Sequence, residues 1–382
     1  MEIKQLQFTV TPDANQLASL KQIQPHLVIV FGSVARLTDP ALAPVLTAAF
    51  GGADQIGCTT SGEISSDGVS NDSLVITAVR FKHPAYRVVS MESAGMEDSA
   101  GCGQRLAAKL SAAQGGEALQ AILILGQGVN VNGSALIEGV AEVAGAQVVL
   151  VGGLAGDGGQ FTQTWTLCNG VVSDSNVVGV GFYGDAIQVS HGSFGGWQPF
   201  GASRRVTRSK NNVLYELDGE PALEIYKRYL GEYARDLPGS GLLFPFAMLG
   251  NDHHETGLIR TILGIDETQG SLTLAGDIVE GGYLRLMTAG TDALVNGAEA
   301  AAQAAQHMFK KGEPCLALLV SCVGRKLVMG GRVDEEVEAV GEVFGEHAVL
   351  TGFYSNGEIS PYLNSPECRL HNQTMTITCL SD

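Results

Sequence analysis

The sequence TGFYSNGEISP at residues 351–361 shares a glycine and a Gly-Glu-Ile-Ser run, at the same spacing, with the upstream stretch IGCTTSGEISSDG at residues 56–68. In both stretches a short polar turn leads into Gly-Glu-Ile-Ser. A third version, VVLVGGLAGDGG at residues 148–159, has Asp157 where the other two have Glu63 and Glu358. Three occurrences of one pattern in one chain predict an internal structural repeat.

The segments before these turns repeat as well, and each predicts a strand, a helix and a returning strand. The first strands are continuously apolar, which is typical of parallel strands covered on both faces. We expect right-handed crossovers, with the glycine turns at the carboxyl ends of the strands framing a cavity. The sequence therefore predicts an α/β fold of repeated βαβ units in mixed, mostly parallel sheets with added antiparallel strands. The units begin with HLVIVFGS (26–33), AILILGQG (121–128) and CLALLVSC (315–322), and their helices lie at 39–51, 134–145 and 334–345.

The chain between the second and third units follows a different pattern. Residues 164–197 predict successive antiparallel strands with Asn-Gly and Gly-Asp turns, and Asn211-Asn212 predicts a further hairpin. A boundary near Gly219 divides the chain into two predicted domains, residues 1–219 and 220–382. An Ala-rich helix is predicted at residues 292–312, closed by Gly312. The second domain is predicted to open with a helix whose apolar stripe is Leu223, Tyr226, Leu230, Tyr233 and Leu237.

Composition narrows the class of protein. A chain of 382 residues with 45% hydrophobic and 16% charged side chains has ample material for a buried core, and its length favours two domains. The net charge of −17 argues against general affinity for nucleic acid or anionic membranes. No long apolar run or signal peptide is evident, so we expect no membrane span. The seven cysteines form no Cys-x-x-Cys pair, which favours a reducing cytoplasm.

Six motifs in collinear order resemble the FIST family over nearly the whole chain. The resemblance implies an N-terminal and a C-terminal FIST domain in a non-enzymatic, ligand-binding sensory protein of signal transduction. The stretch SHGSFGGWQPFG at residues 190–201 is similar to a subset, the NosP-type nitric-oxide-sensing haem proteins. That similarity implies a bound haem and a histidine kinase partner. The six motifs are GCTTSGEIS, VGGLAGDGGQF, VTRSKNNVLYELDGEPAL, SCVGR, GFYSNGEISP and LHNQT.

His191 is the predicted axial ligand of that haem, and the haem iron is the only metal we expect. Imidazole is a common proximal ligand, and the glycines around Phe194 and Trp197 allow a flat group to approach the backbone. The alternative is a histidine at a strand end, with the aromatic residues filling a core. His371 is the second candidate ligand, and its alternative is a strand residue that bonds neighbouring loops.

Four further residues are candidates for a pocket. Cys322 can act as a thiolate ligand or nucleophile, or be a small buried residue. Arg325 can clamp a carboxylate, or pair with Glu358 across adjacent strand ends. Glu63 and Glu358 can accept hydrogen bonds from an ammonium group, or hold the shape of their own turns, and we favour the second role.

The sequence thus leads to one functional hypothesis and two alternatives, with the oligomeric state left open. The hypothesis is a haem-based nitric oxide sensor that modulates a histidine kinase. The first alternative is a sensor of amino-acid-like small molecules without haem. The second is an enzyme that uses Cys322 or the Asp-His-His-Glu run at residues 252–255, although neighbouring strand side chains point to opposite faces and argue against one metal site there. No P-loop or Gly-x-Ser-x-Gly motif is present.

Overall fold

The three predicted strand–helix–strand units are present in the computed structural model, which describes residues 1–111, 117–250, 252–307, 314–361 and 367–382. Strands and helices are numbered in chain order. Each unit contributes one parallel pair, and every residue of the first strand in the first and third pairs is buried, which explains their continuous apolar sequence. The pairs are β2 (Leu27–Gly32) with β3 (Asp54–Thr59), β8 (Leu119–Gly126) with β9 (Val149–Leu154), and β23 (Cys315–Cys322) with β24 (Ala348–Ser355).

Each parallel pair forms the centre of a six-stranded sheet with the same plan. Two antiparallel strands flank one side of the pair, and a short hairpin flanks the other. Sheet 1 adds β1 (Glu2–Phe8), β6 (Leu74–Arg80), β10 (Thr166–Cys168) and β11 (Val171–Ser173). Sheet 2 adds β7 (Tyr86–Glu92), β12 (Asn176–Tyr183), β25 (Gly357–Pro361) and β26 (Cys368–His371). Sheet 3 adds β13 (Gln188–Phe194), β27 (Met375–Ser381), β4 (Glu63–Ser65) and β5 (Gly68–Ser70).

The three hairpins are exchanged in a ring. The hairpin that follows β3 pairs with β24, the one that follows β24 pairs with β9, and the one that follows β9 pairs with β3. The three sheets are therefore related by a pseudo-threefold axis. Strands from both sides of residue 219 pair within sheets 2 and 3, so a cut there separates hydrogen-bonded strands. The division into domains 1–219 and 220–382 stays a prediction.

The inner faces of the three sheets share one apolar core, which includes Phe31, Leu123, Val151, Leu318 and Phe353. Helices cover the outer faces, and their amphipathic pattern follows from this one-sided burial. Sheet 1 is covered by α1 (Ala18–Gln22) and α3 (Leu42–Phe50), sheet 2 by α4 (Ser99–Ser111) and α5 (Gly133–Ala144), and sheet 3 by α7 (Thr291–Gln306) and α9 (Asp334–Phe344). The short helices α2 (Val34–Leu37) and α8 (Val323–Met329) follow β2 and β23.

A fourth sheet, antiparallel throughout its described strands, lies between β13 and α7 in the chain and packs on α6 (Ala222–Leu230). Its Asn211 turn is the predicted hairpin, and the predicted Asn169-Gly170 turn joins β10 to β11. The strand order is β19 (Glu255–Arg260), β18 (Phe246–Leu249), β22 (Tyr283–Thr288), β15 (Arg204–Lys210), β16 (Val213–Leu217), β21 (Ser271–Leu274) and β20 (Ile262–Asp266), with β14 (Gln198–Pro199) beside β22 and β17 (Glu220–Pro221) beside β16. Short segments of 3-10 helix occur at Met96–Asp98, Gly231–Asp236, Gly239–Leu243, Gly330–Arg332 and Gly345–His347.

Two sequence predictions need correction here. The mixed α/β class is confirmed, but the sheets are not mostly parallel, because among the described strands parallel pairing is limited to the three central pairs. Short turns can join neighbouring strands only in antiparallel fashion. The predicted stripe of the first second-domain helix also ends early, since α6 stops at Leu230 and Tyr233 is exposed. The predicted C-terminal end of the Ala-rich helix at Gly312 lies outside the described residues.

Candidate functional site

A cavity of about 590 Å³ lies where the fourth sheet meets the edges of sheets 2 and 3. Strand β13 and the loop that follows it form one wall, strands β18, β19 and β22 form the second, and the end of β26 forms the third. Its apolar wall consists of Trp197, Ala247, Leu258, Ile259 and Met287. Its polar groups are Ser193, His371 and Thr374 in the interior and Glu255, Thr256 and Glu367 nearer solvent.

Hydrogen bonding and close packing fix the Trp197 loop. The indole Nε1 donates a hydrogen bond of 2.7 Å to the carbonyl oxygen of Gln373. Gly196 has a φ of +77°, and a side chain there would approach the carbonyl oxygen of Ala293 to 2.1 Å. Only glycine allows the loop to lie this close to the start of α7. The aromatic wall is therefore formed before any ligand arrives.

His371, the second predicted haem ligand, does line the cavity. Its Nε2 lies 2.9 Å from the carbonyl oxygen of Ser360. Burial is the main cause that lowers the pKa of His371 to about 4, and the charge of Arg260 lowers it further. The ring is therefore neutral at physiological pH. The sequence alternative was a strand residue that bonds neighbouring loops, whereas the observed partner, Ser360, lies on the neighbouring strand β25.

His191, the first predicted haem ligand, is half-buried on β13 and is not among the residues that line this cavity. It lies on the same face of the strand as Ser193, two residues further on, because strand side chains alternate. Burial lowers the pKa of His191 and keeps its imidazole neutral. Its assignment as an axial ligand stays a prediction.

The charged groups of the cavity lining bear on the haem prediction. The charged side chains that line it are Glu255 and Glu367, and neither lysine nor arginine is among the lining residues described. Haem carries two propionates, which need cationic or hydrogen-bonding partners when they are desolvated. Phe194 and Trp197 both line the cavity, and the assignment of a haem to it stays a prediction.

Arg325 lies behind the cavity wall and not in it. Its guanidinium is fully buried and pairs with Glu336 at 2.8 Å, so the alternative of an ion pair with Glu358 is wrong. It also donates hydrogen bonds to the carbonyl oxygens of Gly195 at 2.5 Å and Leu294 at 2.9 Å. Because its donors are occupied in this way, Arg325 connects the Trp197 loop to α7 and α9 and does not face a ligand.

Cys322 is buried at the end of β23, and burial raises the pKa of its thiol. A protonated, enclosed thiol is a poor nucleophile at neutral pH. The side chains of residues 252–255 do not converge on one site. His253 lies 3.2 Å from Ser203 Oγ and packs on Tyr283, while Glu255 lines the cavity. Within the described ranges, no three His, Cys, Asp or Glu side chains are arranged to hold a metal ion.

The repeated Gly-Glu turns have a structural role. Glu63 accepts hydrogen bonds from Thr60 Oγ1 at 2.5 Å and from the backbone N–H and hydroxyl of Ser73 at 3.0 and 2.7 Å. Glu358 makes the equivalent bonds with Ser355 Oγ at 2.6 Å and with Thr374 at 3.2 and 2.9 Å. Each glutamate therefore holds the exchanged hairpin to the strand beside the parallel pair, which explains why the motif recurs.

The turns at residues 59–62, 154–156 and 354–356, here called the central turns, interlock at the pseudo-threefold axis. Ser61 N–H donates to Tyr354, Gly156 N–H to Thr59, and Asn356 N–H to Leu154, with distances to the carbonyl oxygens of 2.8, 2.8 and 3.1 Å. The expectation that the glycine-lined rims frame a cavity is therefore wrong, because the turns pack on one another. A receptor function rests instead on the cavity beside Trp197.

Sequence reasoning missed the second wall of that cavity. Ile259 and Met287 come from strands of the fourth sheet, far from Trp197 in the chain. The Gly-Gly-Trp sequence and the LHNQT motif were the available signals, because the first positions Trp197 and the second supplies His371 and Thr374. Nothing in the local sequence of β19 or β22 indicated that they meet these motifs.

Comparison with known proteins agrees with the motifs. The family model of the FIST N domain matches residues 26–220, and that of the FIST C domain matches residues 222–361. An uncharacterized protein of Methanocaldococcus jannaschii, MJ1623, is 25% identical over 248 residues, which is 60% of this chain. The chain spans about 45% of the length of that relative.

A solved structure, that of a cyanuric acid hydrolase from A. caulinodans, aligns over 99% of this chain and 98% of its own. Its TM-score is 0.36 and its sequence identity is 8%, so this similarity carries no conclusion about fold or activity. Among the helices described, none has the length and hydropathy that a membrane crossing requires.

Proposed function

The chain belongs to the FIST family, and from that premise we propose that it is a sensory protein that binds a small molecule in the cavity beside Trp197. FIST domains are generally sensory ligand-binding domains. The observation that carries the proposal is a cavity of about 590 Å³ that joins an apolar wall to a few buried polar groups. Such an arrangement is typical of small-molecule sites.

Arg325 provides a route from ligand binding to the protein surface. It joins Gly195 in the cavity wall to Leu294 on α7 and to Glu336 on α9. A ligand that binds more tightly to one arrangement of these contacts would favour that arrangement and shift the two helices. The size of the change is limited by the difference in ligand affinity between the two arrangements.

The two tryptophans of the chain allow a direct test. In a Trp165→Phe variant, Trp197 is the remaining tryptophan and reports on the cavity. In a Trp197→Phe variant, Trp165, which precedes β10 in sheet 1, serves as the matched control. The test screens a library of small molecules without indole rings. We expect ligands that raise the melting temperature to change the fluorescence emission of Trp197 and to leave the emission of Trp165 unchanged. Stabilising ligands that alter both emissions equally would contradict the site.

Haem, nitric oxide and a histidine kinase form the second candidate function. The half-buried, neutral His191 on the strand leading to Trp197 supports it, while the acidic cavity lining does not. Haemin titration tests it, since a bound haem gives an intense Soret band that shifts with nitric oxide. His191→Ala should abolish that band, and His83→Ala, at an exposed histidine, should not. A band unchanged in His191→Ala would refute the ligand assignment.

The proposed output is regulation of a cytoplasmic histidine kinase, a hypothesis that comes from the resemblance to the NosP-type subset. Phosphate incorporation into a candidate kinase, with and without the sensor and its ligand, tests this output. We propose a binding protein and not an enzyme, because Cys322 is buried with a raised pKa. Turnover that disappears in a Cys322→Ala variant would overturn that view.

A further inference from the structure

The fourth sheet has a hydrophobic core of its own. This core packs α6 against one face of the sheet, and all of its residues lie between Val206 and Leu286 in the chain. The other three sheets share a separate core. A unit with its own core is expected to move relative to its neighbours unless their interface is large and apolar. The boundary of the described residues between 200 and 286, here called the fourth-sheet unit, therefore decides how firmly the unit is held.

The chain enters and leaves this unit through two adjacent segments. Strand β14 leads into the unit and pairs with the end of β22, which leads out of it, through Gln198 with Thr288 and Pro199 with Met287. Next to the exit lies Gly290, the residue before α7, where no atom of a described residue is within 4 Å of the place that a Cβ would take. Hinges are commonly a few residues at the ends of elements, often small ones. These two segments and Gly290 form such a hinge.

At its boundary the unit meets two cavities, which lie against opposite faces of the fourth sheet. From this sheet, the cavity beside Trp197 is lined by Ala247, Ile259 and Met287. The next residues along two of these strands, Met248 and Arg260, line a second cavity of about 580 Å³. Successive side chains of a strand point to opposite faces of the sheet. The sheet edge therefore separates the two cavities, and α5 and β26 form the far wall of the second one.

Hydrogen bonds that join the unit to the rest of the molecule lie near the hinge. In the sheet register Arg260 shares a row with Leu286, close to the end of β22. Its guanidinium donates a hydrogen bond of 3.3 Å to the carbonyl oxygen of Leu370 on β26. Gln373 Nε2 donates one of 3.0 Å to the carbonyl oxygen of Leu242, which precedes β18 at the same end of the sheet. These bonds hold the pivot and leave the far end of the sheet between the two cavities.

We propose that the fourth-sheet unit swings about this hinge, and that the two cavities open and close in opposition. One sheet separates them, so a movement of its far end toward one cavity widens the other. At that end residues 255–257 are exposed, and Thr256 and Leu258 line both cavities. The swing therefore changes both cavities at once.

This movement gives the second cavity a regulatory role. A ligand in either cavity favours one position of the unit, and its effect on the other cavity is limited by its difference in affinity for the two positions. Two ligands that each prefer a closed cavity weaken each other's binding by the same factor. The inference goes beyond the proposed function, because the unit swings without any ligand.

Two spin labels measure the swing on the full, ligand-free chain. Val279→Cys places one label at the far end of the unit, where Val279 is 63% exposed, and Val143→Cys places the other on α5. We expect a broad or two-peaked distribution of distances for this pair. A matched pair, Val279→Cys with Glu224→Cys on α6, lies within the unit and should give a single narrow peak. Label bound by the unsubstituted chain, whose cysteines are buried or half-buried, gives the background. Equal widths for the two pairs would overturn the swing.

Bulky side chains on the fixed walls test the opposition of the two cavities. Ser193→Phe fills part of the cavity beside Trp197, so it should push the unit toward α5 and shorten the distance between the labels on the unit and on α5. Ser134→Phe on α5, the matched variant, fills part of the second cavity and should lengthen that distance. Shifts in the same direction, or a distance that either variant leaves unchanged, would overturn the proposal.

The label distances also separate this inference from the proposed function. If the unit swings but the small-molecule screen yields no ligand that changes the emission of Trp197, the inference stands and the proposed site fails. If such ligands are found and the label distances stay fixed and narrow, the site stands and the swing is wrong.

Discussion

The central turns and the cavity beside Trp197 contain similar residues, but the turns are closely packed and the cavity is open. Both combine glycine-rich turns with buried polar side chains. Beside the central turns, Glu63 and Glu358 each make three hydrogen bonds with neighbouring groups, and backbone hydrogen bonds join the turns to one another. At the cavity, Ser193 makes no bond to a described residue, and the glycines hold an aromatic wall beside open space.

This contrast shows where a repeated fold can acquire a site. The repeated motif satisfies its own polar groups, so it leaves little for a ligand to bind. The cavity arises where the fourth sheet meets sheets 2 and 3 and departs from the pseudo-threefold plan. Replacing residues at the central turns should therefore change stability, while replacing residues at the cavity should change binding.

The largest effect is expected at Arg325, which joins the two regions. Glu336 bonds both Arg325 and the hydroxyl of Tyr354, a residue of the central turns. Arg325→Met leaves Glu336 buried without its cation and should lower the free energy of unfolding by about 3–5 kcal/mol, measured by urea denaturation. Adding Glu336→Leu should restore part of the loss. Arg208→Met, at an exposed pair, should cost about 0–1 kcal/mol, and an equal cost at both sites would contradict the model of a buried connector.

A smaller, pH-dependent effect is expected at Glu358. Burial is the main cause that raises the pKa of Glu358 to about 8, from 4.5. Between these two values the folded chain holds a proton that the unfolded chain releases, so stability falls as pH rises. The slope contributed by this group is at most about 1.4 kcal/mol per pH unit.

Glu358→Gln should remove that slope between about pH 5 and pH 8. Unfolding free energies measured across this range check the expectation, with Glu216→Gln as the exposed control. Parallel pH profiles for Glu358→Gln and the unchanged chain would show that Glu358 is ionised in the fold, contrary to the direction argued above.

Gly156→Ala tests how tightly the central turns are packed. An added methyl group would lie 2.5 Å from Ser61 Oγ and 2.8 Å from the carbonyl oxygen of Tyr354. We expect a loss of about 1–3 kcal/mol in the free energy of unfolding, because the neighbouring backbone cannot move away freely. Gly290→Ala has nothing within 4 Å of the new methyl group and should change stability little. Equal stability of the two variants would mean that the central turns are packed less closely than the distances around Gly156 indicate.

Two buried serines give the smallest and most direct comparison. Ser355→Ala removes a hydrogen bond to Glu358 and should cost about 1–3 kcal/mol. Ser193→Ala removes a hydroxyl that bonds no described residue, so its cost should stay within about 0.5 kcal/mol. Thermal or urea unfolding measures both. A Ser193→Ala variant that is as unstable as Ser355→Ala would indicate a structural bond at Ser193 and weaken its assignment to a ligand site.

Much of the architecture was predictable because it depends on local patterns. The continuous apolar runs of β2, β8 and β23 indicated buried parallel strands, and the helices that follow them were located by their spacing. The Asn169-Gly170 and Asn211 turns were predictable because few residues adopt their left-handed backbone. The proportion of antiparallel pairing was not predictable from the sequence, because paired strands such as β4 and β24 are distant in the chain.

The candidate site was predicted only in part. Phe194, Trp197 and His371 line the cavity, whereas Cys322, Arg325, Glu63 and Glu358 are engaged in the interior of the fold. Residues of both groups occur in glycine-rich motifs, so the motif by itself does not separate packing from binding. Burial and hydrogen-bond partners distinguish residues that pack from residues that line the cavity, and both depend on segments far away in the sequence.

The sequence by itself determined the repeat, the three parallel strand pairs and the membership of the chain in its family. Those properties follow from backbone preferences and apolar periodicity, which act over short distances along the chain. The tertiary structure alone decided which hairpin joins which sheet, and where space remains. The exchange of hairpins brings the three glycine turns together and fills the axis, and the packing of the fourth sheet leaves a cavity beside Trp197.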